Sequence, residues 1–167
     1  MTDLAHQTIS RRFLKKQPRV FDMSDCGTGK TYVEIMDFAD RRKKKGKCML
    51  VLACKSLLRS AWDDDIKKFA PHLKTSIAYA VNREAAFAAD ADIYITNHDA
   101  AKWLAEKPKA FFARFDTLVV DESTALKHHT SQRSRAVAKI VKYFEYRRLL
   151  SGTPHTNGIC DLWHQFF

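Results

Sequence analysis

The chain has little that would break it into parts. Its 167 residues include only 5 glycines and 4 prolines, and no linker-like stretch, low-complexity tract or internal repeat interrupts them. One domain with a sizeable buried core is expected. The 4 cysteines (Cys26, Cys48, Cys54 and Cys160) show no CxxC spacing. That excludes the usual disulfide frame and zinc site, and it suits the reduced thiols of a cytosolic protein. The 7 histidines are scattered, and His128-His129 lacks partners at ligand spacing. No apolar run is long enough to span a membrane, and no signal peptide is expected. Acidic residues are in deficit: 19 Asp plus Glu stand against 29 Lys plus Arg, a formal net charge of +10. A polyanion such as nucleic acid is the natural partner, with a membrane surface second. Part of the excess has an ordinary use. The run Arg41-Arg42-Lys43-Lys44-Lys45 falls where a helix would end, where cations complement its dipole, and Gly46 is placed to stop it.

What is present begins with Val20-Phe21-Asp22-Met23-Ser24-Asp25-Cys26-Gly27-Thr28-Gly29-Lys30-Thr31. A short apolar run reads as a buried strand, followed by a glycine-bearing loop and the start of a helix. That is the arrangement of a triphosphate cradle. Loop N–H groups point at phosphate oxygens, and the positive end of the helix dipole favours the same charge. Residues Ser24, Asp25, Cys26, Gly27, Thr28, Gly29, Lys30 and Thr31 form the candidate cradle. Lys30 would reach the β- and γ-phosphates and the Thr31 hydroxyl would ligate Mg²⁺. Ser24 stands where the usual pattern has its first glycine. The bland alternative is a glycine-lysine turn that happens to precede a helix.

Thr117-Leu118-Val119-Val120 is a second β-branched apolar run, and it ends in Asp121-Glu122. Acids at the carboxyl end of a parallel strand lie where ligands bind in open α/β sheets. Asp121 suits a metal ligand and Glu122 the orientation of an attacking water. The bland alternative is a solvated acidic turn. The two sites are expected at the tips of neighbouring strands, near enough to share one ion.

Between these motifs, strand and helix patterns alternate. Helices are expected from Leu4 to about Leu14, over Tyr32–Arg42, from a Ser56 cap to Pro71, over Asn82–Ala89, Asp99–Leu104, Lys109–Arg114 and Ser131–Tyr143, and over Gly158–Phe167. Strands are expected at Arg19–Met23, Cys48–Ala53, Ser76–Ala80, Asp92–Thr96, Thr117–Val120 and Arg147–Ser151. Alternation of this kind argues for a parallel sheet with helices on both faces. Trp62 and Trp103, at helical spacing, read as core.

Read together, the motifs resemble the first lobe of a superfamily-2 helicase, and most closely the Swi/Snf-type DNA translocases. The resemblance rests on the phosphate loop with a small residue at Ser24, on Ala53-Cys54-Lys55-Ser56-Leu57-Leu58-Arg59-Ser60-Ala61-Trp62 with Phe69-Ala70-Pro71, and on Ile95-Thr96-Asn97-His98. It rests also on Asp121-Glu122-Ser123-Thr124-Ala125-Leu126-Lys127, where Ser123-Thr124 departs from the more usual Ala-His. Leu150-Ser151-Gly152-Thr153-Pro154, with Asn157 and Leu162-Trp163, is similar to the third motif. The similarity spans nearly the whole chain in order. It implies a three-layer α/β/α RecA-like fold and an ATP- and Mg²⁺-dependent activity on nucleic acid, with double-stranded DNA as the track.

It also implies residue roles. Gln7, in the pair His6-Gln7, resembles the glutamine that reads the adenine edge, where an amide supplies both a donor and an acceptor. Its alternative is an exposed helix glutamine. Ser151 and Thr153 would couple the nucleotide site to the nucleic-acid site. Lys55, Ser56, Thr96, Asn97 and His98 would hold the phosphate backbone without reading sequence, or else serve as ordinary turn and cap residues. The family places ATP between two lobes, and the second lobe supplies arginines worth ~10³-fold in rate. Arg133, Arg135, Arg147 and Arg148 match no such motif, so the chain is expected to be the first lobe alone, in need of a second. Two other classes stand beside this one: a phosphate-loop phosphotransferase and a basic DNA-binding module with little ATPase activity.

Overall fold

Cys48–Ala53 is six consecutive apolar residues, and every one of them is buried. A strand without polar alternation needs cover on both faces, and the fold supplies it. In the computed structural model, which describes residues 3–123 and 131–152, this strand is the fourth of six in one sheet. The strands are β1 (Arg19–Asp22), β2 (Cys48–Ala53), β3 (Thr75–Ala78), β4 (Ile93–Asn97), β5 (Phe115–Asp121) and β6 (Tyr146–Leu150). Their order is β1-β6-β5-β2-β4-β3, and every pairing is parallel.

Seven helices are described: α1 (Ala5–Lys16), α2 (Lys30–Lys45), α3 (Asp64–Phe69), α4 (Arg83–Ala88), α5 (Ala100–Ala105), α6 (Lys109–Phe112) and α7 (Gln132–Ile140). The period-two alternation of each strand sends its residues to two separate cores. Met49, Val51, Ile93, Ile95 and Val119 pack against Ile35 and Phe38 of α2 and Ile66 of α3. Leu50, Leu52, Tyr94, Leu118 and Val120 pack on the other face against Phe87, Leu104, Phe112, Val137 and Ile140 from α4 to α7. Each fully buried Leu, Ile, Val or Phe contributes about 1.5–3 kcal/mol, so the sheet's central strands dominate the burial.

The order of elements follows the sequence reading, and the differences are local. The helix expected to run from a Ser56 cap begins instead at Leu57, with no side-chain cap. It opens as a wide π-type turn over Leu58–Asp63 before tightening into α3. Ser56 is therefore not a cap; its carbonyl accepts the Ser60 hydroxyl at 3.3 Å. The helix expected to reach Tyr143 ends at Ile140 and continues as a 3-10 turn, Val141–Tyr143. α2 runs to Lys45 and stops at Gly46, whose φ of 64° is the left-handed conformation glycine adopts without strain. Arg41 does more than complement the dipole. It donates to Asp37 (2.9 Å) and Thr117 (3.0 Å) and lies 3.8 Å from the centre of the Tyr146 ring. The helix expected over Gly158–Phe167 lies outside the described residues.

Candidate functional site

Because every strand is parallel, every carboxyl end reaches the same edge of the sheet. That edge collects the loop after β1, Cys54 to Ser56 after β2, His98 after β4, Glu122 after β5, and Ser151 and Gly152 after β6.

The loop after β1 is shaped by its own side chains. The Ser24 N–H and hydroxyl both donate to Asp22 Oδ1, at 2.9 and 2.5 Å. The Thr28 hydroxyl donates to the Asp25 carbonyl at 2.8 Å. Gly27 and Gly29 take φ values of 79° and 83°, and Gly29 is the N-cap residue just before α2. A Cβ on Gly29 would also come within 2.6 Å of Gln7 Nε2. Lys30 reaches over the loop and donates to the carbonyls of Ser24 (2.7 Å) and Asp25 (2.9 Å). An ammonium held there by neutral carbonyls is poised for a stronger anionic acceptor.

The phosphate loop and the acidic pair were expected on neighbouring strands, and here the structure corrects the sequence. β6 lies between β1 and β5. The gap is closed at the tips. The Ser151 N–H donates to the Asp22 carbonyl at 3.0 Å, and the Ser151 hydroxyl donates to Glu122 Oε1 at 3.2 Å. One residue thus touches both halves of the site. Gly152 follows it, and a Cβ there would overlap Cys26 Sγ and stand 3.3 Å from the Cys26 nitrogen. The loop can lean across β6 only because that position has no side chain.

Asp121 is held at three points. Its Oδ2 accepts the Trp62 indole N–H at 2.9 Å, its Oδ1 accepts the Glu122 N–H at 2.9 Å, and its carbonyl accepts from His98 Nε2 at 2.8 Å. Burial pushes the Asp121 carboxyl above its ordinary pKa, against the pull of the Trp62 and Glu122 N–H groups. A cation beside it would reverse that balance. Burial likewise lowers the pKa of His98. Glu122 has φ 51°, the only positive value at a non-glycine among the described residues. That conformation costs about 1–2 kcal/mol at a residue with a Cβ and turns the chain sharply away from the strand.

A cavity of about 470 Å³ joins these parts, lined by Gly27, Gly29, Lys30, Thr31 and Asp121 together with Gln7, Tyr32 and Phe69. Gln7 donates to the Thr28 carbonyl at 3.4 Å, and its Oε1 accepts the Leu4 N–H at 3.0 Å. It is half-buried, in α1, against the loop. A hydroxyl (Thr31), one carboxylate (Asp121) and a cradle of glycines suit a cation whose remaining ligands are phosphate oxygens and water. Among the described residues no cluster of three His, Cys, Asp or Glu side chains could hold an ion alone.

The strand-tip residues paired with nucleic acid divide. Lys55 and Ser56 are exposed and Asn97 is half-buried, its amide 3.4 Å from Asp99 Oδ2. Thr96 is fully buried and donates its hydroxyl to the Ala78 carbonyl at 2.7 Å. His98 is buried against Asp121. In this conformation Thr96 and His98 serve the sheet and the acid, and only Lys55 and Ser56 face solvent freely. Thr153, Thr124 to Lys127, Asn157 and Leu162-Trp163 lie outside the described residues. Trp62 is core, as its spacing suggested, but its indole N–H is spent on the acid. Trp103 is half-buried at the edge of the other core, stacked 5.2 Å from Phe87 and donating to Glu84 at 3.0 Å. Nothing in the local sequence pairs Trp62 or His98 with Asp121, 59 and 23 residues away.

The family model of the SNF2-related domain matches residues 21–166. The chain belongs to this family. The SNF2-related chain is 28% identical over 160 residues to the TATA-binding protein-associated factor MOT1 of Saccharomyces cerevisiae, covering 85% of itself and 8% of that protein. It is 28% identical over 151 residues to the uncharacterized ATP-dependent helicase MG018 of Mycoplasma genitalium, covering 14% of that protein. The Sulfolobus solfataricus SWI2/SNF2 ATPase core in complex with double-stranded DNA superposes with a TM-score of 0.76 at 28% identity, over 95% of this chain and 33% of that one. The six-stranded parallel sheet with its flanking helices is the RecA-like α/β fold of that core. The SNF2-related chain spans a third or less of the length of each of these relatives.

Proposed function

We propose that this SNF2-related chain is the ATP-binding lobe of a nucleic-acid-dependent ATPase, which couples hydrolysis to movement along duplex DNA when a second lobe completes the site. One observation carries the reading: Lys30 and Thr31, at the start of the helix that follows β1, line one cavity with Asp121 at the end of β5, although β1 and β5 are not neighbours. In this reading Lys30 leaves the Ser24 and Asp25 carbonyls for the β- and γ-phosphates, and Gln7 faces the adenine edge. Thr31 and Asp121 hold Mg²⁺, which would neutralise charge on the phosphates. Glu122, held by Ser151, orients the attacking water, and Ser151 with Thr153 reports the state of that acid to the DNA side. Lys55 and Ser56 are the strand-tip residues best exposed for phosphate contacts, and the relative solved with double-stranded DNA supports the choice of track.

The test is ATP binding and turnover by the purified chain, with and without duplex DNA and with a second lobe added in trans. Nucleotide should bind with little turnover by the chain alone, Lys30→Ala should abolish binding, and DNA should stimulate turnover once the second lobe is supplied. Robust hydrolysis by the chain alone, lost in Lys30→Ala, contradicts the need for a second lobe. DNA binding with no nucleotide response contradicts the ATPase reading.

A further inference from the structure

Trp62 is fully buried, and a buried indole N–H needs an acceptor. A backbone carbonyl would satisfy it. Its partner is instead the Asp121 carboxylate, at 2.9 Å, on the wall of the cavity that holds Lys30 and Thr31. The other carboxylate oxygen takes the Glu122 N–H at 2.9 Å. With one donor on each oxygen the group cannot turn about its terminal torsion, yet each oxygen keeps lone-pair capacity for a further partner. The His98 ring, just after β4, fixes the main chain of the same residue. Trp62 reaches this position from the π-type turn Leu58–Asp63, a wide turn of the sort often found at functional sites.

We infer that Trp62 is the positioning residue of Asp121. Its indole N–H locks the carboxylate in the orientation that accepts a divalent cation, and so sets how strongly Mg²⁺ tightens nucleotide binding. This rests on the phosphate-site reading above. Loop contacts with the phosphates do not involve Trp62, so binding of nucleotide without metal is independent of it. Removing the N–H frees the acid to rotate. The loss then falls on the metal, as it does when hydrogen-bond partners behind a metal ligand are removed.

The experiment titrates MgCl₂ into the full chain with ADP, which avoids turnover, and compares Trp62→Phe with the parent. Phe keeps the ring and loses the donor. The Mg²⁺ concentration for half-maximal tightening of ADP should rise about tenfold, with ADP affinity in EDTA unchanged. A parent response with a superimposable Trp62→Phe curve overturns the inference alone. A parent whose ADP affinity ignores Mg²⁺ overturns it together with the metal half of the site reading. Should Trp62→Phe fail to fold, the parent decides. Its Trp62 indole N–H resonance, assigned with Trp103→Phe and Trp163→Phe, should shift when Mg²⁺ is added to the ADP-bound chain. A stationary resonance overturns the inference.

Discussion

Gly152 shows how much one missing atom can decide. The residue lies between the phosphate loop and the acidic pair, and any side chain there would meet Cys26 at both sulfur and backbone. Gly152→Ala should therefore push the loop away from β5 and weaken nucleotide binding by about tenfold or more, a cost of about 1.4 kcal/mol in affinity. The double variant Cys26→Ala, Gly152→Ala relieves the sulfur clash but leaves the close approach to the Cys26 nitrogen. It should recover part of the loss. Equal affinity for ADP in the parent and Gly152→Ala, by isothermal titration, would show that the contact does not matter. The motif Leu150-Ser151-Gly152 was legible in the sequence as a resemblance. The reason for its glycine was not, because Cys26 is distant in the chain and adjacent only across β6.

At the scale of elements, α1, α2 and β6 are joined by buried charge. Arg148, on β6, is fully buried and donates to the carbonyls of Gln17 (2.7 Å) and Leu14 (3.2 Å), at the end of α1. Glu34 and Asp37 of α2 lie 3.5 and 3.7 Å from its guanidinium. Burial pushes the Glu34 carboxyl up from 4.5 to about 8, against the pull of Arg148. A carboxyl whose folded pKa lies above its unfolded value holds its proton more tightly in the native state. Its favourable contribution is complete below 4.5 and is lost as the pH climbs towards 8. Glu34→Gln keeps the shape and removes the titration. Across that range its urea-unfolding free energy should gain on the parent's by up to ~5 kcal/mol, since each tenfold difference in proton affinity between the folded and unfolded chain is worth about 1.4 kcal/mol. Parallel pH profiles would place Glu34 outside this linkage. The apolar pattern of α2 was readable from Val33, Ile35, Met36 and Phe38. The burial of Glu34 and Asp37 on the same helix was not, since a charged residue reads as exposed until its partner is found.

For the whole molecule, the formal charge of +10 points to a polyanion without saying where it binds. The structure removes several cations from consideration. Arg11 is paired with Asp3 and Asp40, Arg42 with Asp92, and Arg41 and Arg148 are occupied inside the fold. Lys55, at the carboxyl edge of the sheet just after β2, remains exposed. If duplex DNA lies along that edge, binding should weaken by about 10²-fold between roughly 50 and 200 mM salt, as several released counterions require. Lys55→Ala should flatten the slope of log affinity against log salt by about one ion. A salt slope unchanged by Lys55→Ala would move the DNA site elsewhere.

Alone, the amino-acid order was enough for the alternation of strand and helix, the parallel sheet, the glycine loop with Lys30 and Thr31, and the acids Asp121 and Glu122. These are local signals: hydrophobic period, turn chemistry, and short motifs at fixed offsets. Tertiary structure alone decided that β6 separates the two halves of the site, that Ser151 bridges them, and that Trp62 and His98 hold Asp121. Strand order and side-chain partners depend on contacts between residues far apart in the chain, and no local pattern carries them.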